Sequence, residues 1–218
     1  EMGQGLNTKV AQVVAEELGL DIAHVRVSAA DTSKVANTSA TAASTGSDLN
    51  GKAAQDAARK IKAALTAFAA DHYGCDEAHI QFRNNEVVCG DRITLPFAEF
   101  VHEAYMARIP LWSSGFYRTP KIHYDVKTLT GRPFYYFVYA AACAEVVVDT
   151  LTGENKLLRA DILYDGGRSI NPAVDGGQVE GGFIQGMGWL TTEELWWNDK
   201  GKLMTHAPST YKIPSVSD

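Results

Sequence analysis

Cysteine is scarce in this chain. Cys75, Cys89 and Cys143 are three scattered residues among 218, with no C-x-x-C pair. An odd, dispersed set excludes a disulfide framework and a cysteine-held cluster, and it fits a reducing cytoplasm. Long apolar runs are lacking as well: none reaches the ~18 residues that a membrane span needs. Nor is there an excess of positive charge. Twenty Lys and Arg stand against 26 Asp and Glu, for a net charge of −6. That argues against nucleic acid or an anionic membrane surface as a partner. The six histidines show no metal-ligand spacing. His102-Glu103-Ala104-Tyr105-Met106 approaches H-E-x-x-H, but Met106 replaces the second ligand. No secretory leader pattern is visible. The remaining composition, 45% hydrophobic and 21% charged, is that of a globular chain with room for one large domain or two lobes.

Periodicity sets out the elements. Leu6, Val10, Val13, Val14 and Leu18 recur at spacings of three and four, which predicts a helix that Gly19 stops. His24–Ser28 alternates like a strand, and 31–43, rich in Thr, Ser, Asn and Ala, reads as a loop. A second helix is expected from 44–48 to about 70, with Leu49, Ala53, Ala57, Ile61, Leu65 and Phe68 on one face. Residues 79–90 predict a hairpin turning at Asn84-Asn85, followed by a helix over about 96–108. Phe134 to Asp149 and Lys156 to Tyr164 predict a long hairpin turned by Leu151–Glu154. Asn171-Pro172 opens a further helix, expected to run to about 194, with Asn as cap and Pro in the first turn. A small hairpin is expected around Asn198–Gly201. Cys143, in an apolar strand, is expected to be buried and inert, and Trp196 and Trp197 to lie in a core or an interface. Helices alternate with antiparallel hairpins without a βαβ rhythm. The fold class is therefore α+β: two lobes, about 1–125 and 126–218, of helices packed on mostly antiparallel sheets.

Three features can carry chemistry. The first is Glu1-Met2-Gly3-Gln4-Gly5-Leu6. Two glycines there allow a close backbone approach, the following helix start offers N–H groups, and the Gln4 amide both donates and accepts. A plain glycine turn before a helix accounts for it equally well. The second is Asn37–Ser47, small and hydroxyl-rich, able to cradle a phosphate or a heterocycle, or to serve as a capped surface loop. Inside it, Gly46 to Ala53 nearly matches a P-loop. Ala53 stands where the Mg²⁺-binding hydroxyl belongs, and no strand precedes it. The third is the helix from Asn171, with Gly176, Gly177, Gly181, Gly182, Gly186 and Gly188. Each interior glycine costs about 0.8–1 kcal/mol relative to Ala, so something must approach this backbone closely. Gln178, Gly181, Gly182 and Gln185 form one stripe, opposite a core-facing side of Val179, Phe183, Met187 and Leu190. Glycine-mediated helix packing explains the glycines but not the two amides.

Taken together and in order, these features resemble the xanthine dehydrogenase-type molybdenum hydroxylases, the xanthine oxidase and aldehyde oxidase family. Similar segments are Glu1–Lys9, Asn37–Gly51, Gly115–Pro120, Ala142–Gly153, Asn171–Gly188 and Pro208–Pro214, so the resemblance covers essentially the whole chain. Ala36 and Ala40 stand where the family often has proline.

The resemblance implies a molybdenum-bearing pterin dithiolene, molybdopterin, with no side chain of the protein on the metal. Gln4, Ala43, Ser44, Thr45, Gly46, Ser47 and Gln178 would bind this cofactor. Ala42 and Ala43 would border a flat purine. The implied reaction is hydroxylation of hypoxanthine or xanthine with oxygen from water. Electrons would leave through [2Fe–2S] clusters to FAD on other domains or subunits of an oligomeric enzyme. The family's general base is a glutamate in a Gly-Glu-Pro-Pro motif that these 218 residues lack, so no catalytic residue is assigned here. The chain is accordingly expected to be a piece of the cofactor-binding subunit, inactive by itself. An aldehyde oxidase and a non-catalytic binding or assembly module remain as other readings.

Overall fold

The computed structural model describes residues 1–28, 31, 33–34, 40–42 and 44–216. Four helices and seven strands occur among them: α1 Leu6–Leu18, α2 Gly46–Tyr73, β1 Ile80–Arg83, β2 Glu86–Cys89, β3 Ile93–Pro96, α3 Phe97–Met106, β4 His123–Asp125, β5 Thr130–Arg132, β6 Tyr139–Val148, β7 Asn155–Asp165 and α4 Pro172–Thr191. Every sheet is antiparallel, and the class is α+β as expected. The chain divides into two units, Glu1–Tyr135 and Tyr136–Asp218.

In the first unit, α1 and α2 lie side by side and run in the same direction. Leu6 packs where a Cβ on Gly46 would stand, Val13 lies beside Gly51, and Glu17 accepts from Gln55 and Arg59 at 3.1 Å each. Both helix N-termini therefore lie at one end of the pair. Gly19 ends α1 in the left-handed region, at φ 65, where a side chain would strike the Phe82 carbonyl oxygen at 2.1 Å. Only glycine meets both demands. The adjacent turn Asn84-Asn85 has φ of 54 and 63, the pair of positive values that a two-residue hairpin turn requires. Asn85 then ties three segments together. Its side chain accepts from Asp21 N at 2.6 Å, its amide donates to Gly19 O at 2.9 Å, and its carbonyl accepts from Phe97 N at 2.7 Å.

The sheet has the order β1-β2-β3, with Phe82 paired to Val87 and Val87 to Leu95. Period-two alternation turns Phe82, Val87 and Cys89 inward. There they meet Leu65, Phe68 and Ala69 of α2 and Phe100 and Ala104 of α3. Burying Phe100, Leu65 and Val87 stabilises the unit by about 1.5–3 kcal/mol each.

The second unit is built differently. The β6–β7 hairpin follows the expected turn, with a register shift between Glu145 and Val146, but all of β6 is exposed. Cys143 is exposed, contrary to expectation. An apolar strand buries its faces only where a second layer covers them, and the hairpin has no such layer among the described residues of its unit. Leu190, assigned to a core face, is also exposed, as are Trp196 and Trp197.

Two further expectations need correction. His24–Ser28 is no strand: Ile22–His24 is a short 3-10 turn, and the following residues have no ladder partner among the described residues. Leu49 is exposed, because α2 meets α1 through the small residues Gly46 and Gly51. β3, β4 and β5 lie where no strand was expected.

Candidate cofactor-binding site

The shared end of α1 and α2 carries most of the proposed cofactor residues. Gly3 and Gly5, at φ 97 and 77, fold the first residues back over the start of α1. The Glu1 carboxylate accepts from Gly5 N at 2.9 Å and from Asn7 N at 2.6 Å. One of the amides expected to be open at this helix start, that of Asn7, is thus already capped. Gln4, half-buried, accepts from Met2 N and donates through Nε2 to Thr41 O at 3.4 Å. It bridges the glycine turn to the second loop. An amide has two donors and two acceptor lone pairs, so capacity remains for a ligand.

In that loop Ala42 is exposed, and its carbonyl accepts from Thr45 Oγ1 at 3.2 Å. Ser44 is exposed and sits at φ 55, unusual for a residue with a side chain. Ala43 lies outside the described residues, as do 37–39. Thr45 is the residue before α2, and the first intrahelical bond runs from Leu49 N to Thr45 O at 3.0 Å. The amides of Gly46, Ser47 and Asp48 therefore precede the helical ladder, at the positive end of a 28-residue helix. Gly46 serves packing: its Cβ would lie 2.6 Å from Leu6 Cδ2. Gly46 to Ala53 form the first two turns of α2, so the near P-loop is not a loop at all.

Asp48 was missed in the sequence. Its Oδ1 is buried and has no hydrogen-bond partner. A buried acceptor without a donor costs about 1–3 kcal/mol. The available signal was an acidic residue at the third position of a helix that follows a hydroxyl-rich loop.

The remaining candidate, Gln178, lies on α4 of the second unit. Asn171 caps α4, accepting from Val174 N at 3.1 Å. Gln178, Gly181, Gly182 and Gln185 form an exposed stripe. A Cβ placed on Gly176, Gly177, Gly181 or Gly182 would meet nothing within 4 Å, whereas one on Gly188 would strike Pro214 Cδ at 2.5 Å. Close packing within the unit thus accounts for Gly188 and not for the other four. Pro214 belongs to the segment seated on the end of α4, where Tyr211 donates to Glu193 at 2.5 Å and Thr192 to Lys212 O at 3.1 Å. The Glu193 carboxylate holds the Tyr211 phenol above its ordinary value.

No group of three or more His, Cys, Asp or Glu side chains suited to a metal ion occurs among the described residues. No described helix is long and apolar enough to cross a membrane.

Residues 1–218 match the family of molybdopterin cofactor-binding domains. The chain belongs to that family. It is 45% identical over 225 residues to xanthine dehydrogenase of Oryza sativa subsp. japonica and 42% identical over 215 residues to xanthine dehydrogenase/oxidase of Rattus norvegicus, covering 100% and 99% of this chain. It spans 15% of the length of each of these relatives. The fold is shared with carbon monoxide dehydrogenase of Oligotropha carboxidovorans, at TM-score 0.78 and 23% identity. That match covers 100% of this chain and 26% of the other. Quinoline 2-oxidoreductase of Pseudomonas putida 86 matches at TM-score 0.78 and 24% identity, over 99% and 27%. The chain is thus a molybdopterin cofactor-binding domain of the kind found in xanthine dehydrogenase-like molybdenum hydroxylases.

The residues present suit that cofactor. The amides and hydroxyls at the start of α2 match an anionic phosphate. The unmet Asp48 acceptor and the Gln4 amide match the N–H and C=O edge of a pterin. Bare glycine backbone beside two amides matches a large flat polar ring.

Proposed function

We propose that this domain forms part of a xanthine dehydrogenase that hydroxylates hypoxanthine and xanthine with oxygen from water. The observation that carries this reading is identity above 40%, sustained over the whole chain, to xanthine dehydrogenases from a plant and a mammal. When bound, the cofactor supplies the oxygen-transfer and electron-transfer chemistry, and the protein binds and orients it.

In this reading Gln4 holds the pterin through its unused donor and acceptor. Ser44, Thr45, Gly46 and Ser47, with Ala43, present amides and hydroxyls to the cofactor, and Asp48 accepts from a pterin N–H. Gln178 contributes a second amide from α4. Ala42 and Ala43 border the substrate, where methyl side chains leave space for a purine. Electrons pass to [2Fe–2S] and FAD groups carried on other domains or subunits of an oligomeric cytoplasmic enzyme. These 218 residues contain no Gly-Glu-Pro-Pro motif and are expected to be inactive alone.

Turnover by the full-length protein decides the substrate class. Faster oxidation of hypoxanthine and xanthine than of aldehydes is expected; preference for aldehydes would make it an aldehyde oxidase instead. Bound cofactor without turnover of either class would favour a non-catalytic binding or assembly module.

A further inference from the structure

Cys75 and Cys89 take no part in the cofactor surface, yet they lie together. Cys75 follows Gly74, the residue that ends α2, and Cys89 ends β2. The hairpin brings them close: Cys89 pairs with Ile80, and Gly90 N donates to His79 O at 3.0 Å, just past the turn that Cys75 enters. Cys75 packs against the core cluster that contains Cys89, its thiol donates to Ala69 O at 3.7 Å, and it stands near enough to Cys89 to raise that thiol's pKa. Cys75 is half-buried and Cys89 is 3% exposed.

We propose that Cys75 and Cys89 are a dithiol modification site that closes to an intradomain disulfide under a low-molecular-weight disulfide oxidant such as oxidised glutathione. Cys75, the more accessible, attacks first as its thiolate. One glutathione thiolate leaves, and a mixed disulfide forms at Cys75. Cys89 then loses its proton to solvent and attacks the Cys75 sulfur, expelling the second glutathione thiolate. Two electrons pass from the protein to the oxidant, and each released thiolate takes up a proton. Burial, followed by the neighbouring Cys75 thiol, pushes the Cys89 thiol up to about 11. Cys89 is therefore a poor first nucleophile, and it depends on a mixed disulfide already formed beside it. The bond would tie the end of α2 to the open end of the β1–β2 hairpin.

Trypsin cuts after Lys62, Arg83 and Arg92, so the two cysteines fall in peptides 63–83 and 84–92. The purified protein is titrated with oxidised glutathione under native conditions, alkylated, digested without reductant and analysed by mass spectrometry. The expected result is a linked 63–83/84–92 pair, short by the mass of two hydrogen atoms, that separates on reduction. Cys89→Ser should leave glutathione fixed on Cys75, and Cys75→Ser, at the half-buried position, should leave Cys89 unmodified. Glutathione held on Cys75 of the unsubstituted protein beside a free Cys89 would overturn the proposal. So would a link of either residue to Cys143, or a link that forms only after denaturation.

Discussion

The two units spend their apolar residues in opposite ways. In the first, α2, α3 and the three-stranded sheet close over Leu65, Phe82, Val87 and Phe100. In the second, a hairpin of ten- and eleven-residue strands leaves Val146, Val147, Val148 and Leu163 exposed. A two-stranded hairpin is marginal in water without a covering layer. The first unit's stability therefore follows from its own residues, whereas among the described residues Val146, Val147, Val148 and Leu163 stay exposed and nothing packs on Gly176, Gly177, Gly181 and Gly182.

Substitutions can break this contrast. Phe100→Ala should have the largest effect: the ring is fully buried among Phe68, Tyr73 and Phe82, and its loss should cost about 3–5 kcal/mol in denaturant unfolding. A cost below about 1 kcal/mol would mean that the first unit has no closed core. Gly19→Ala comes next, at about 1–3 kcal/mol for the left-handed backbone, with the overlap on Phe82 O in addition. Gly182→Ala should do the reverse. It should stabilise α4 by about 0.8–1 kcal/mol while lowering cofactor content, because nothing within the unit opposes the new methyl. Stabilisation with unchanged cofactor content would remove the case for a ligand on this stripe.

The smallest effect concerns the segment over α2. Gly115 lies so close that a Cβ would come within 1.8 Å of Ala53 O, Lys60 donates to Ser114 O at 3.2 Å, and Phe116 N donates to Asp56 at 3.0 Å. The hydrogen bond from Lys60, then that from Phe116, holds the Asp56 carboxyl below its ordinary value. A depressed carboxylate contributes above its unfolded pKa and loses that contribution as pH falls through the folded value. Hydrogen exchange at the Phe116 amide should therefore lose protection in acid, and Asp56→Asn should abolish the pH dependence. Protection that stays constant down to acid would break this link.

Local signals were legible in the sequence because they act within a few residues. Gly19 as a helix stop, Asn84-Asn85 as a turn and Asn171-Pro172 as a helix start all stand where the pattern placed them. The glycine turn and the hydroxyl loop were legible as cofactor candidates, and Gln4 joins them. Their meeting depends on α1 and α2 running in parallel, which no local pattern encodes. Glu1 capping its own helix was not legible because it needs the fold-back at Gly3 and Gly5. Cys143 and Leu190 misled because an apolar residue in a periodic element indicates a face to be covered, without saying that its own unit covers it.

The central proposal is that Gln4 and Gln178 are each cofactor-binding residues. Its most direct test is molybdenum and pterin content per chain in the full-length protein carrying Gln178→Ala, an exposed change that leaves the core untouched, compared with Gln4→Ala. Each lost hydrogen bond should weaken retention by roughly tenfold, so both contents should fall together while the unfolding midpoint of Gln178→Ala stays constant. Full molybdenum and pterin content in both variants would contradict the account.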